Sequence, residues 1–426
     1  MTIQLALVGC LALLGLAMLV ARKNTDTPLP KLESLWFHSS LTWPVAVKAA
    51  LGSFIFAGDA DSGTSYILVT YGPALLMSLV MVAMRARGDA KLFIPGLWVF
   101  AGVAFSIPFT LFAGTGFTGV LPVILILPAL LRRATPIPLG SWFRSARWAL
   151  LWILLVLIAT SVVAPENVVG PCRLDKCSAF GEVLTSPITN NGNFVGVAIA
   201  ILLPLALLGL RMFPLILVSI VSLGMIEASG SRSAALAAWV VVAVVVIASG
   251  NWDRRRWIAG VALVGVLVAS IVTAVGSFPR EFATFRGGLW ERAQELFLAN
   301  PALGYGPTYW SSQPLELSLT ANYSPHNFWL EFAVAGGLFG LLCVAAAGIT
   351  LLRKVAKQER YAIVMMLIAL LALGIVESPV QPGKFSLAPF AHLLPLIIGA
   401  ACSVAERSPR ANAQAPLPAR VLAGRK

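Results

Sequence analysis

The chain has 426 residues, of which 58% are hydrophobic and 12% charged. Soluble domains carry about 25% charged residues, so the composition excludes a water-soluble globule and points to an integral membrane protein. The net charge of +13 is concentrated in short clusters between apolar runs, which argues against a nucleic-acid partner.

The apolar runs are continuous and about 17–22 residues long, the length a helix needs to cross a bilayer. Barrel strands would instead alternate over about ten residues. In chain order the runs fall at 2–21, 41–57, 64–84, 93–113, 115–131, 147–164, 193–210, 212–229, 233–250, 257–276, 327–352, 361–377 and 387–404. The first lacks a basic flank and a clear small-residue cleavage site, so a retained span is expected there. The run Leu41–Ala57 is the weakest; it is short, contains Lys48, and reads equally as a half-span or an interfacial segment. The expected fold is an all-α polytopic membrane protein, one transmembrane domain over residues 1–404 with about 12 to 13 spans.

Basic clusters at Arg85–Arg87, Arg132-Arg133, Asp253–Arg256 and Arg353–Arg360 mark the cytoplasmic side, where Lys and Arg are retained. The polar segments Pro165–Asn190 and Ser277–Pro325 then fall outside. The first holds Cys172 and Cys177; outside the cytoplasm a short disulfide is expected, two free thiols being the alternative. Cys10, Cys343 and Cys402 lie in apolar runs and read as small core residues. Residues 405–426 are basic and rich in Ala and Pro; a disordered cytoplasmic tail lying on anionic membrane lipid is expected there.

The long outer segment Ser277–Pro325 carries Arg280, Arg286 and Arg292 against four glutamates. It is therefore no generic basic patch. Within it, GLWERAQELFLANP places Trp290, Ala293, Leu296 and Phe297 on one helical face, and Asn300-Pro301 closes the helix. Gly304–Pro307 reads as a turn.

Three sites on the outer side could carry chemistry. In SGSRS, Ser229–Ser233, Arg232 opens a span where helix N–H groups already favour an anion; the plainer reading is an interfacial arginine, with Glu227 as its ion-pair partner. In FRGGLW, Arg286 precedes the loop helix beside two glycines; alone it reads as a solvated loop arginine. In PHNFWLE, His326 stands at the mouth of a span, where a neutral imidazole can take a proton from a hydroxyl; the plainer reading is an interfacial histidine at a helix cap. Glu331, one turn below, either orients the ring or pairs with an arginine. His38, placed in a loop, and His392, in an apolar run, have no such setting. The three histidines are scattered without a carboxylate cluster, so no metal site and no cofactor are expected. No P-loop, dinucleotide or GxSxG pattern stands in a fitting context.

His326-Asn327, nine residues, then Gly337-Leu338-Phe339-Gly340 resembles the signature of the O-antigen ligase and O-antigen polymerase family. Arg286 to Trp290 followed by Asn300-Pro301-Ala302-Leu303-Gly304-Tyr305-Gly306, and the turn Gly230-Ser231-Arg232, resemble further elements of that family; TNNGNFVG, Thr189–Gly196, is a weaker one. The resemblance implies a fold of the GT-C type found in lipid-linked glycosyltransferases, in the bacterial inner membrane, with a large periplasmic loop over the site. It implies a glycan donor on undecaprenyl diphosphate and a glycan or lipid A–core acceptor. By the same carry-over Arg232 and Arg286 would grip the diphosphate, His326 would activate the acceptor hydroxyl, and no metal would take part. Asn327, Glu331, Arg280, Arg292 and Trp290 are the supporting candidates, and Gly336, Gly337 and Gly340 would be small faces for close helix packing. A transporter of lipid-linked glycan is the rival reading; it would place its polar groups at the bilayer midplane.

Overall fold

The structure, a computed structural model, describes residues 2–21, 27–48, 64–87, 90–104, 121–133, 135–172, 176–185, 192–248, 252–306, 309–312, 324–379 and 393–402. The basic tail, His392, residues 189–191 and the part of the run 41–57 after Lys48 lie outside the described residues.

The helices in chain order are α1 Ile3–Ala21, α2 Lys31–Ala46, α3 Thr64–Ala86, α4 Ile94–Ala104, α5 Leu121–Leu130, α6 Leu139–Val163 and α7 Asn193–Leu207. They continue as α8 Met212–Ala228, α9 Arg232–Ile247, α10 Trp252–Val275, α11 Phe282–Ala299, α12 Phe328–Lys354, α13 Lys357–Gly374 and α14 Leu393–Cys402. Among the described residues α1, α3, α6, α10 and α12 are long and apolar enough to cross a membrane, and α4, α7, α8, α9 and α14 are apolar but shorter. The chain is a helical membrane protein. Among the described residues the other expected runs recur as helices, whereas the run 41–57 is described only to Lys48 and forms the end of α2; Pro204 and the left-handed Gly209 close α7.

One placement is corrected. His38 lies within α2, not in a loop, with Nδ1 3.2 Å from Thr42 Oγ1 one turn on. The helix begins ten residues before the apolar run because Trp36, Phe37 and Leu41 recur at helical spacing and are buried. Lys48, which weakened that run, is buried 5.6 Å from the Tyr71 ring and 6.0 Å from Phe194, where aromatic faces offset the loss of water around the ammonium.

The core is organised around α7. Every residue from Phe194 to Leu207 is buried, the pattern of a helix enclosed on all sides, and α2, α6, α8, α9 and α13 pack on it. The face of α9 against it is small, with Ala234, Ala237 and Ala238 fully buried. Small side chains let helices approach where lipid supplies no hydrophobic drive between them. On α10 the exposed Val261, Val264, Val268 and Ile271 form a lipid-facing stripe.

The segments between helices sort to two ends. At one, Arg133 N–H donates to Ala400 O and Ile137 N–H to Ala401 O, and Arg147 bonds the carbonyls closing α7. At the other, Gln4 at the start of α1 donates to Ser161 O. There β3 Val169–Pro171 pairs antiparallel with β4 Glu182–Leu184, Val169 opposite Leu184. A shorter pair, β1 Lys91–Leu92 with β2 Leu131–Arg132, lies at the first end.

The signature glycines break a helix. Gly337 within α12 has φ 57° and ψ −153°, a conformation essentially reserved for glycine. The turn after α11 enters this break: Tyr305 and Gly306 N–H donate to Val334 and Ala335 O, while Leu338 and Phe339 N–H donate to Pro301 and Ala302 O. A Cβ on Gly337 would stand 2.6 Å from the Ala302 backbone. Non-helical backbone within an apolar span is tolerated only when protein satisfies it, and here the 301–306 turn does so. The expectation of a helix-packing face is thus corrected: Gly337 and Gly304 are the two sides of a backbone-to-backbone joint.

Candidate active site

The joint fixes where α11 lies, and α11 carries three of the expected residues, Arg286, Trp290 and Arg292. Ala283, Thr284 and Phe285 are left-handed, so regular helix starts at Arg286. Gly287 lies directly on the Pro279 carbonyl, leaving no room for a Cβ. One turn on, Trp290 is 1% exposed, edge-on to Phe278 at 5.3 Å, and donates from Nε1 to Pro325 O at 2.8 Å. Ala293 and Leu296 are buried beside it and Phe297 is half-buried, as the helical spacing implied.

At the start of α12, Asn327 is the helix cap. Its Oδ1 accepts from the N–H of Trp329 at 3.0 Å and of Leu330 at 3.2 Å. Its amide donates to Thr273 Oγ1 and Ile375 O, tying the ends of α10 and α13 to α12. His326, between this cap and the pinned Pro325 carbonyl, has φ 51°. Left-handed backbone is uncommon outside glycine, and such strain persists only where the surroundings over-determine it.

The end of α13 completes the site. Gly374 packs so closely that a Cβ would stand 2.6 Å from Phe328 Cβ, which brings the next turn beside His326. There Glu377, with its side chain 4% exposed, accepts from Arg286 Nη2 on Oε1 at 2.6 Å and meets His326 Nδ1 with Oε2 at 2.8 Å. Burial pushes the Glu377 carboxyl up, but the hydrogen bond from His326 and the charges of His326, Arg286 and Lys176 outweigh it and hold the carboxyl below its usual range. An ionised carboxylate only accepts, so Nδ1 carries the proton and Nε2 is the basic nitrogen. Arg286 is further oriented by its bond to Ala283 O at 3.1 Å.

Arg232 is exposed at the first residue of α9. Its turn reaches the same network: Gly196 of α7 lies so near that a Cβ would be 2.6 Å from Ser229 Oγ and 2.7 Å from Ser231 Cβ. Three residues earlier Asn193 donates to Glu377 Oε1 at 3.4 Å and accepts from Lys176 Nζ at 2.6 Å. Arg232, Arg286 and His326 thus lie at one end of the helices, on elements joined through α7 and Glu377. Glu227 accepts from Ala179 N–H. Glu331 is 3% exposed and accepts from Ser324 Oγ at 2.6 Å and Ser378 Oγ at 3.3 Å. Arg280 and Arg292 sit on the outer face of the loop, paired with Glu291 and Glu295. Cys172 and Cys177 are joined in a disulfide, and Cys10, Cys343 and Cys402 are buried free thiols. Among the described residues no three His, Cys, Asp or Glu side chains group as a metal site.

A family model described as O-antigen ligase matches residues 216–345. The matched stretch is under a third of the chain and is similar to that family. No curated protein matches the chain. The matched stretch runs from α8 into α12 and holds Arg232, Arg286, Trp290, His326, Asn327 and Glu331. Glu377, Asn193 and Lys176 stand outside it, and sequence reading missed the roles of Glu377 and Lys176. A signal for Glu377 was present: an acid closing the apolar run 361–377 at the end without basic clusters.

Proposed function

We propose that the chain is a membrane glycosyltransferase of the O-antigen ligase or polymerase type, which moves a glycan from undecaprenyl diphosphate to an acceptor hydroxyl. The observation that supports this most is the Arg286–Glu377–His326 arrangement, set at the end of the helices opposite the basic clusters. His326 Nε2 takes the proton of the acceptor hydroxyl, while Glu377 holds the ring and balances the imidazolium that forms. The hydroxyl oxygen bonds to the anomeric carbon. The bond from that carbon to the diphosphate oxygen breaks, and its electron pair leaves with the diphosphate.

Charge grows on the leaving group in the transition state, and this reading assigns its stabilisation to Arg286 and Arg232 rather than to a metal. In-line displacement inverts the anomeric configuration. Asn327, Trp290 and Glu331 fix the mouth of α12, so they act by position. The site faces the periplasm in this reading, supported by the positive-inside pattern and by the disulfide at the same end.

Ligase and polymerase differ in acceptor, lipid A–core for one and a second lipid-linked glycan for the other. The test supplies purified protein with a lipid-diphosphate-linked glycan and each acceptor in turn. Formation of an inverted glycoside is expected. Release of free glycan alone, or retention of configuration, overturns the reading.

A further inference from the structure

The β3–β4 hairpin brings a cation to this network that lies outside the matched stretch. Lys176, half-buried, gives its ammonium to Asn193 Oδ1 at 2.6 Å, and the same Asn193 donates to Glu377. The lysine stem lies against the left-handed Gly230, where a Cβ would be 2.9 Å from Cε. Glycine at 230 therefore admits the lysine between the Arg232 turn and the start of α7. The neighbouring Cys177 is tied to Cys172. Ser178 Oγ donates to Glu182 O across the hairpin, and Ala179 N–H is held by Glu227. The lysine is thus fixed from both sides.

Around Glu377 the cations Arg286 and Lys176 face one carboxylate, and Arg232 adds a further positive charge. A diphosphate is a ligand that cations brought together from separate elements suit. A lysine serving only to tether the hairpin would not need to share the carboxylate-centred network of Arg286 and His326. We propose that Lys176 is a third cation for the donor diphosphate, held in place by the Cys172–Cys177 disulfide. This rests on the reading of the site as a diphosphate site.

The test measures binding of farnesyl diphosphate, and of farnesol as the uncharged tail, to the purified full-length protein. Lys176→Met is expected to weaken farnesyl diphosphate binding about tenfold, the scale of one charge-assisted contact. Lys176→Arg should restore it to within about twofold, and farnesol binding should not change. Replacing both cysteines by serine should reproduce the weakening in the wild-type background and add little to Lys176→Met. Farnesyl diphosphate binding unchanged by Lys176→Met overturns the inference, as does equal weakening for farnesol. Diphosphate binding that depends on Lys176 in a protein forming no glycoside would instead sink the transferase reading and leave this site standing.

Discussion

At the end of the helices that carries the basic clusters, arginines close the fold. Arg85 donates to Pro128 and Leu131 O, Arg147 to Ala206 and Leu208 O, and Arg255 to Ala248 O. Many of these carbonyls belong to helix ends that otherwise lack partners, and Arg85 and Arg133 share the buried Glu33. At the opposite end Arg286 also bonds a carbonyl, but its second bond goes to a carboxylate that holds a histidine. The same residue type finishes helices at one end and assembles a titratable centre at the other. Charge composition alone cannot separate these uses; what differs is the company each guanidinium keeps.

That contrast can be broken most directly at His326. His326→Ala is expected to lower glycoside formation by about 10²–10⁴-fold, the range of a positioned general base, with thermal stability close to wild type. Arg286→Ala should cost about 10²–10³-fold, as loss of a transition-state charge contact does. Arg286→Lys should recover only part of that rate, because an ammonium cannot replace the planar fork that spans Ala283 O and Glu377. At the other end, Arg147→Met should leave kcat/KM unchanged but lower stability by about 1–3 kcal/mol, from the unpaired buried carbonyls of Ala206 and Leu208. Activity lost with Arg147 would erase the distinction between the ends.

The smallest expected effect is on pH. Glu377 is held below its ordinary 4.5, so its contribution to stability is complete above that value and is lost as pH falls through the lower folded value. The stability gap between wild type and Glu377→Gln should narrow as pH falls below about 5. A gap that widens on acidification would contradict the ionised carboxylate.

Much of this was legible beforehand because hydropathy and charge are local. Apart from the run 41–57, the runs recur as helices among the described residues, the basic clusters gathered at one end, and Arg286 and Trp290, one turn apart, do face the mouth of α12. Three features were not legible, each because it depends on approach between distant segments. Glu377 shows in the sequence only as an acid closing an apolar run, and it acquires its role only when Gly374 lets α13 close on Phe328. Lys176 reads as a loop lysine until Asn193 is placed beside it. Gly337 reads as a packing glycine until the 301–306 turn is seen to fill the break, since nothing local tells a small face from a broken hydrogen-bond ladder.

The most direct measurement is a structure of the full chain with undecaprenyl diphosphate bound in a lipid nanodisc. The diphosphate is expected at the His326 end, its oxygens on Arg286 and Arg232 and its tail leaving between helices. A diphosphate seated on the arginines of the opposite end, with the Arg286–Glu377–His326 cluster unliganded, would contradict the account.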